Sequence, residues 1–286
     1  MTAEDYNAKS MKRYGWGPSR FGLEPDASIE DITEAVADFQ RESGLTPDGK
    51  VGPMTWRRME AEREFGASES YPSSLGFIQV SGSPIPVDFK AQMCSSNSPY
   101  SLVGQGGHSR RKNPPTQVVW HWDACLNAET CYKILQRRKI SSHGVIDNDG
   151  TFYQMLDFAD HTGWHSGDSK VNRRSIGIDI SNAVYLKYNK YYEKRWGPRP
   201  VIKAEVHGHE YELLGYYDAQ IRTAAKLSAF IAKHFSIDLV TPDSNTVIGK
   251  PHLYRGHLAH YHVKRTKWDV AGFPFDDVLG YTEPLE

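Results

Sequence analysis

Apolar residues recur at two different periods along the chain, and the change of period divides it. Ile32, Val36 and Phe39 are spaced by four and three residues, which predicts one apolar stripe of a helix. A turn signal, Pro47-Asp48-Gly49, follows that helix, and a second short helix begins soon after it. We therefore expect residues 1–65 to form a small helical module.

The composition shifts over residues 66–115, which are rich in Ser, Gly, Pro and Asn. Residues 76–80 and 85–87 are apolar enough to form a hairpin, and we expect the rest to be a linker and an entry segment.

Strand-like and helix-like segments alternate from residue 116 to the end. The pattern predicts strands over 117–122 and 175–180, a hairpin over 145–153 that turns at Asp149-Gly150, and helices over 128–138 and around 221–231. This alternation predicts an α/β domain with a mixed sheet over residues 116–286.

One segment of that domain, residues 182–215, is rich in tyrosine: Tyr185, Tyr188, Tyr191, Tyr192 and Tyr211. Two interpretations remain open. It is an insertion packed on the domain, or it forms an aromatic wall of a substrate cleft.

Charge and cysteine content exclude several classes of protein. The 286 residues carry 34 Lys+Arg and 35 Asp+Glu, a net charge of -1, so we expect no nucleic-acid partner and no anionic-membrane contact. The three cysteines are too few for a disulfide framework, and we expect free thiols. No signal peptide or membrane span is visible, so we expect synthesis in the cytoplasm and no membrane insertion.

Three distant fragments point to a metal centre. They are His121 in an apolar strand, Gly256-His257, and Lys267-Trp268-Asp269. Two histidines and a carboxylate hold zinc and leave a fourth position for water, which indicates metal-assisted hydrolysis. The second histidine is not unique, because His252, His260 and His262 are alternatives to His257.

These fragments occur in the order typical of one family. The matching pieces are His121, residues 142–146 with Asp149-Gly150, residues 163–167, Asn172 with residues 175–179, Gly256-His257 and residues 267–269. Residues 116–286 resemble the zinc-dependent N-acetylmuramoyl-L-alanine amidases of phage lysozymes, cell-wall recycling enzymes and peptidoglycan recognition proteins.

The N-terminal module resembles the three-helix peptidoglycan-binding module. The matching pieces are residues 35–40, Gly44-Leu45, Asp48-Gly49 and residues 51–56. A wall-binding module joined to a wall-cutting domain resembles a phage endolysin. Such a protein acts as a monomer on bacterial peptidoglycan, reaching the wall from the cytoplasm after a holin releases it.

The resemblance implies a role for particular residues. His121, His257 and Asp269 would be ligands of Zn²⁺, Asp179 would relay a proton, and Lys267 would stabilise the oxyanion. Trp164, His165 and Asn172 are candidates for substrate binding. The bond cut would be the amide between N-acetylmuramic acid and L-alanine.

The chain departs from the family pattern at several places, among them Asp179, which is one methylene shorter than the glutamate of the recycling enzymes. Ser142 stands where phage relatives carry a tyrosine, and the interval from His257 to Asp269 is longer than usual. Two other functions remain open: a non-catalytic recognition protein, and a secreted antibacterial amidase toxin. A glycosidase would need two carboxylates flanking a sugar cleft, and no such pair is marked.

Overall fold

The computed structural model describes residues 2–14, 16–43, 45–56, 59, 76–94 and 100–280. The chain forms two compact units, Met1–Gly76 and Phe77–Glu286. Gly44 and residues 66–75, part of the expected module and linker, lie outside the described residues. Residues 77–94 and 100–115, expected as linker and entry segment, fall within the second unit and contribute strands to it.

The first unit is helical. It contains α1 (Ala3–Tyr14), a 3₁₀ turn (Pro18–Phe21), α2 (Ile29–Glu42) and helical residues over 53–56. The predicted apolar stripe is confirmed, because Ile32 and Val36 on α2 are buried in a core with Trp16, Val51 and Met59.

The Asp48-Gly49 turn is held by the Gln40 side chain, which donates to Asp48 Oδ1 at 2.8 Å and accepts from the Gly49 backbone N–H at 2.8 Å. Gly49 has φ +67°, and a Cβ there would lie 2.9 Å from the Thr33 methyl group. The turn therefore requires glycine for its backbone conformation and for the close approach of α2.

The second unit is built on strands. They are β1 (Gly76–Val80), β2 (Ser83–Val87), β3 (Ala91–Gln92), β4 (His108–Arg110), β5 (Gln117–Trp122), β6 (Gly144–Ile146), β7 (Phe152–Gln154), β8 (His161–Gly163), β9 (Ser175–Ile180), β10 (Val201–Val206), β11 (His209–Leu214) and β12 (Gly256–Ala259). Strands β1 and β2 pair with each other, which confirms the predicted hairpin. Two further two-stranded sheets, β4 with β8 and β10 with β11, were not predicted.

The helices of this unit are α3 (Ala128–Arg138), α4 (Ser169–Asn172), α5 (Asn189–Glu193), α6 (Asp218–Phe235), α7 (His260–Val263) and α8 (Phe275–Leu279). Short 3₁₀ turns cover Leu186–Tyr188 and Pro251–Leu253. Within the described residues, no helix has the length and apolar content needed to cross a bilayer. The three cysteines, Cys94, Cys125 and Cys131, are free and buried.

A six-stranded sheet in the order β12-β5-β9-β6-β7-β3 organises the unit. Strands β12, β5, β9 and β6 run parallel to one another, whereas β6 and β7 form the predicted antiparallel hairpin. The predicted α/β class with a mixed sheet is therefore confirmed.

One face of this sheet packs into the main core, and the other carries the candidate site residues. Because side chains alternate along a strand, Trp120 and Ile178 share one face, where they join the main core with Leu227 of α6. His121 and Asp179 point to the other face, and they are direct partners in the pairing of β5 with β9. The candidate chemistry therefore lies on the face away from α6.

Candidate metal centre and its cleft

Three buried side chains converge at one end of the sheet. His121 lies on β5, His260 is the first residue of α7, and Asp269 follows on a loop. The Nδ1 atoms of the two histidines are 3.0 Å apart, and Asp269 Oδ2 lies 3.1 Å from His121 Nδ1 and 2.8 Å from His260 Nδ1. Their exposed fractions are 5%, 3% and 8%.

Strand register explains why His260 stands beside His121. Strand β12 runs parallel to β5 with Ala259 opposite Trp120, so the next residue of each strand falls side by side. These two residues are His260 and His121.

The same register places His257 elsewhere, and the expected set of His121, His257 and Asp269 is corrected. His257 pairs with Val118, on the face of Trp120 rather than the face of His121. Its Nδ1 accepts a hydrogen bond from Trp120 Nε1 at 3.0 Å, and burial lowers its pKa to about 3. The alternative His260 takes its place, nine residues before Asp269.

The donor set fits a zinc ion. His260 Nε2 lies 3.0 Å from the Ser166 carbonyl oxygen, which only accepts, so the ring proton is on Nε2 and Nδ1 carries a lone pair. Burial acts to raise the pKa of Asp269, but attraction to the protonated forms of His260 and His121 outweighs burial and holds that pKa below its usual value, so this carboxylate favours a positive charge beside it.

The distances between the three ligand atoms also suit a zinc ion. Ligand atoms about 2.0–2.2 Å from a zinc ion lie roughly 3.3 Å apart in a tetrahedron, close to the separations found here. A cation among these atoms would balance the carboxylate and satisfy the lone pairs that face each other. His121, His260 and Asp269 would supply three ligands and leave the cleft side for a fourth.

The cleft beside this centre has a volume of about 320 Å³. Asp179, Ser142 and Lys267 line it together with the three candidate ligands. Burial raises the pKa of Asp179, whereas the charge of His121 and a hydrogen bond from Ser142 oppose the shift. Lys267 is exposed to solvent and lines the cleft, so its side chain is accessible to a substrate bound there.

Asp123 is a further carboxylate of the cleft, in addition to the residues predicted from the sequence. It accepts hydrogen bonds from the backbone N–H groups of Cys125 at 2.8 Å and Asn182 at 3.0 Å, and from the Ser181 hydroxyl at 2.9 Å. Burial and the charge of Asp179 raise its pKa to about 8. The sequence feature that could have identified Asp123 is its position two residues after His121, just beyond the end of β5.

The three candidates for substrate binding have different surroundings. His165 lines the cleft and reaches His121, with Nδ1 2.9 Å from His121 Nε2. Trp164 is 47% exposed, as a surface for binding would be. Asn172 is buried, and its Oδ1 accepts from the Ser166 backbone N–H at 2.9 Å, so it holds the loop after β8.

The tyrosine-rich segment of residues 182–215 is both packed on the domain and part of the cleft wall, through different tyrosines. Tyr192 is fully buried against Ala183 and Leu214, which anchors the insertion on the domain. Tyr185 is 55% exposed and lines the cleft with Trp268. The insertion is therefore packed on the domain and also supplies part of the cleft wall.

Comparison with known proteins agrees with this geometry. The family model described as N-acetylmuramoyl-L-alanine amidase matches residues 111–271, more than half of the chain. A second model, described as a peptidoglycan binding domain, matches residues 13–59. No curated protein matches the chain.

Solved structures give weaker similarities. A mutant endolysin from Bacillus subtilis is 18% identical, with 57% of this chain and 81% of that chain covered and a TM-score of 0.35. The peptidoglycan recognition protein SA of Drosophila is 17% identical, with 55% and 74% covered and a TM-score of 0.33. The amidase AmiD from E. coli is 17% identical, with 65% and 56% covered and a TM-score of 0.33.

Proposed function

Since this chain belongs to the N-acetylmuramoyl-L-alanine amidase family, we propose that it hydrolyses peptidoglycan by a zinc-dependent mechanism. The bond cut is the amide that joins the lactyl group of N-acetylmuramic acid to L-alanine. His121, His260 and Asp269 hold the ion, and Asp179 and Lys267 act on the substrate.

The convergence of His121, His260 and Asp269 supports the proposal most strongly. Three acceptor atoms, all within about 3 Å of one another, are buried at the edge of an open cleft. Such an arrangement is costly unless a cation occupies its centre. Two histidines and one carboxylate with an open side are typical of a catalytic rather than a structural zinc site.

The bound zinc, Asp179 and Lys267 have different roles in the proposed hydrolysis. When bound, zinc lowers the pKa of a water molecule and polarises the scissile carbonyl. Asp179, directly opposite His121 on the neighbouring strand, accepts the proton of the attacking water and passes it to the leaving amide nitrogen. Lys267 stabilises the negative charge that develops on the carbonyl oxygen.

The biological role that we propose is that of a phage endolysin, a monomer that is made in the cytoplasm and reaches the wall after a holin opens the membrane. The peptidoglycan-binding domain over residues 13–59 supports this role, because it would keep the enzyme on its polymeric substrate. The secreted toxin remains the alternative, and the neighbouring genes distinguish the two: a holin gene or an immunity gene.

Product analysis tests the activity. Purified peptidoglycan is digested with the full chain, and the products are separated and identified by mass spectrometry. Free stem peptides that begin with L-alanine, with uncut glycan strands, are the expected result. Glycan fragments that retain their peptides would indicate a glycosidase instead, and binding without products would indicate a recognition protein.

A further inference from the structure

A chain of hydrogen bonds leads from the interior of the domain to His121. It begins at the Val171 carbonyl oxygen, which accepts from the Ser175 hydroxyl at 2.9 Å. Ser175 Oγ lies 3.0 Å from His165 Nε2, and His165 Nδ1 lies 2.9 Å from His121 Nε2.

The direction of each hydrogen bond follows from the first. A carbonyl oxygen only accepts, so the single proton of the Ser175 hydroxyl points at Val171. The hydroxyl oxygen must then accept from His165, which places a proton on His165 Nε2. A neutral imidazole carries only one N–H, so His165 Nδ1 is an acceptor.

The last step reaches the metal centre. Since His165 Nδ1 accepts, His121 Nε2 must carry the proton, and His121 Nδ1 is left with its lone pair. Without this chain the opposite tautomer would be favourable, because Asp269 Oδ2 lies 3.1 Å from His121 Nδ1 and would accept a proton held there. A proton on Nδ1 would block the atom that faces the ion.

The ring of His165 is packed closely against β9. It lies directly on the backbone of β9, where a Cβ on Gly177 would be 2.5 Å from His165 Cγ. The loop that carries it is fixed by Asn172.

The same loop orients the second histidine ligand. The Ser166 carbonyl oxygen, next in sequence to His165, accepts from His260 Nε2. Residues 165 and 166 thus place the ring protons of both histidines on the side away from Asp269.

We propose that His165 and Ser175 are positioning residues, which select the tautomer of His121 that can bind zinc through Nδ1. This inference rests on the proposed zinc-dependent function. It assigns to His165 a role other than substrate contact, and it gives Gly177 a reason to lack a side chain.

Two amide substitutions at one position separate this role from simple packing. In His165→Asn, the amide oxygen falls near the place of Nδ1, where it can still accept from His121 Nε2. In His165→Gln, the amide falls near the place of Nε2 and leaves His121 without that acceptor. Ser175→Ala removes the start of the chain with a minimal change of volume.

The zinc dissociation constant of each full-length variant is measured by competition with a chromophoric chelator. Loss of an outer partner of a metal ligand typically weakens metal binding by about 10–100-fold. We expect a loss of that size for His165→Gln, a smaller loss for Ser175→Ala, and near wild-type affinity for His165→Asn. Thermal unfolding in EDTA checks that each variant folds.

The tautomer of His121 provides a second readout, which packing alone would not change. Long-range ¹H–¹⁵N spectra of the metal-free chain should show a proton on His121 Nε2 in the wild type and in His165→Asn. In His165→Gln the proton should move to Nδ1. Wild-type affinity and an unchanged His121 tautomer in His165→Gln would overturn the inference, and so would equal losses in both amide variants. A wild-type chain that binds no zinc would overturn the proposed function as well.

Discussion

The indole of Trp268 stacks on the phenol ring of Tyr211, with ring centroids 4.4 Å apart and planes 18° apart. Trp268 lies between Lys267 and Asp269 in the sequence, so a residue of the β10–β11 hairpin supports the loop that carries both. A second contact has the same effect, because His207 Nε2 donates to the Lys267 carbonyl oxygen at 2.9 Å. The hairpin therefore helps to fix the position of a candidate zinc ligand.

Tyr211→Ala should loosen this loop. An aromatic pair contributes about 0.5–1.5 kcal/mol beyond the area that it buries, so we expect a lower free energy of unfolding and a weaker zinc affinity. Tyr211→Phe keeps the stacked ring and should match the wild type. Urea unfolding and chelator competition measure the two quantities, and an unchanged zinc affinity in Tyr211→Ala would show that the hairpin does not support the ligand loop.

His257 should make the protein acid-sensitive. Burial lowers its pKa to about 3 in the folded chain, whereas an unfolded histidine takes up a proton near its ordinary value of 6.5. Between these values the unfolded state binds more protons, so the free energy of unfolding falls as the pH falls, by about 1.4 kcal/mol per pH unit for this one group.

His257→Asn isolates that contribution, because its amide oxygen can still accept from Trp120 Nε1 but does not titrate. The difference in unfolding free energy between wild type and variant should shrink from pH 6 to pH 4, measured by urea unfolding in EDTA. Parallel pH profiles would contradict the assignment of the proton to His257.

Asp179→Asn should remove the proton relay and leave the metal centre intact. General acid–base catalysis typically contributes about 10²–10⁴-fold, so we expect kcat to fall by that factor while zinc content stays at the wild-type level. Asp179→Glu retains a carboxylate and should recover part of the activity. Loss of zinc from Asp179→Asn would mean that Asp179 supports the metal instead.

Lys267→Met should reduce kcat more than it raises KM, because the charge acts on the oxyanion that forms during the reaction. Removal of one oxyanion donor typically costs about 10²–10³-fold in kcat. Lys264→Met provides a matched control, since Lys264 is also exposed but does not line the cleft. Equal effects of the two substitutions would point to a general charge effect on substrate binding.

Much of the second unit could be predicted from local patterns. The strand that carries His121, the helix of residues 128–138 and the hairpin turning at Asp149-Gly150 all follow from apolar periods and turn residues. Asp179 could be placed in the site because its strand has a typical motif.

The choice between His257 and His260 could not be made in this way. It depends on the register of β12 against β5, which arises from long-range pairing and leaves no local signal. The interval to Asp269 was the one hint, since it is long when counted from His257 and three residues shorter when counted from His260. The chain of hydrogen bonds through Ser175 could not be predicted either, because it joins residues from the loop after β8, from β9 and from β5.

The most direct test of the zinc centre is a crystal structure of the zinc-loaded chain with anomalous diffraction data collected at the zinc absorption edge. We expect one peak about 2.0–2.2 Å from His121 Nδ1, His260 Nδ1 and a carboxylate oxygen of Asp269, and the same peak in His257→Asn. A peak beside His257, or no peak among these three residues, would contradict a zinc site formed by His121, His260 and Asp269.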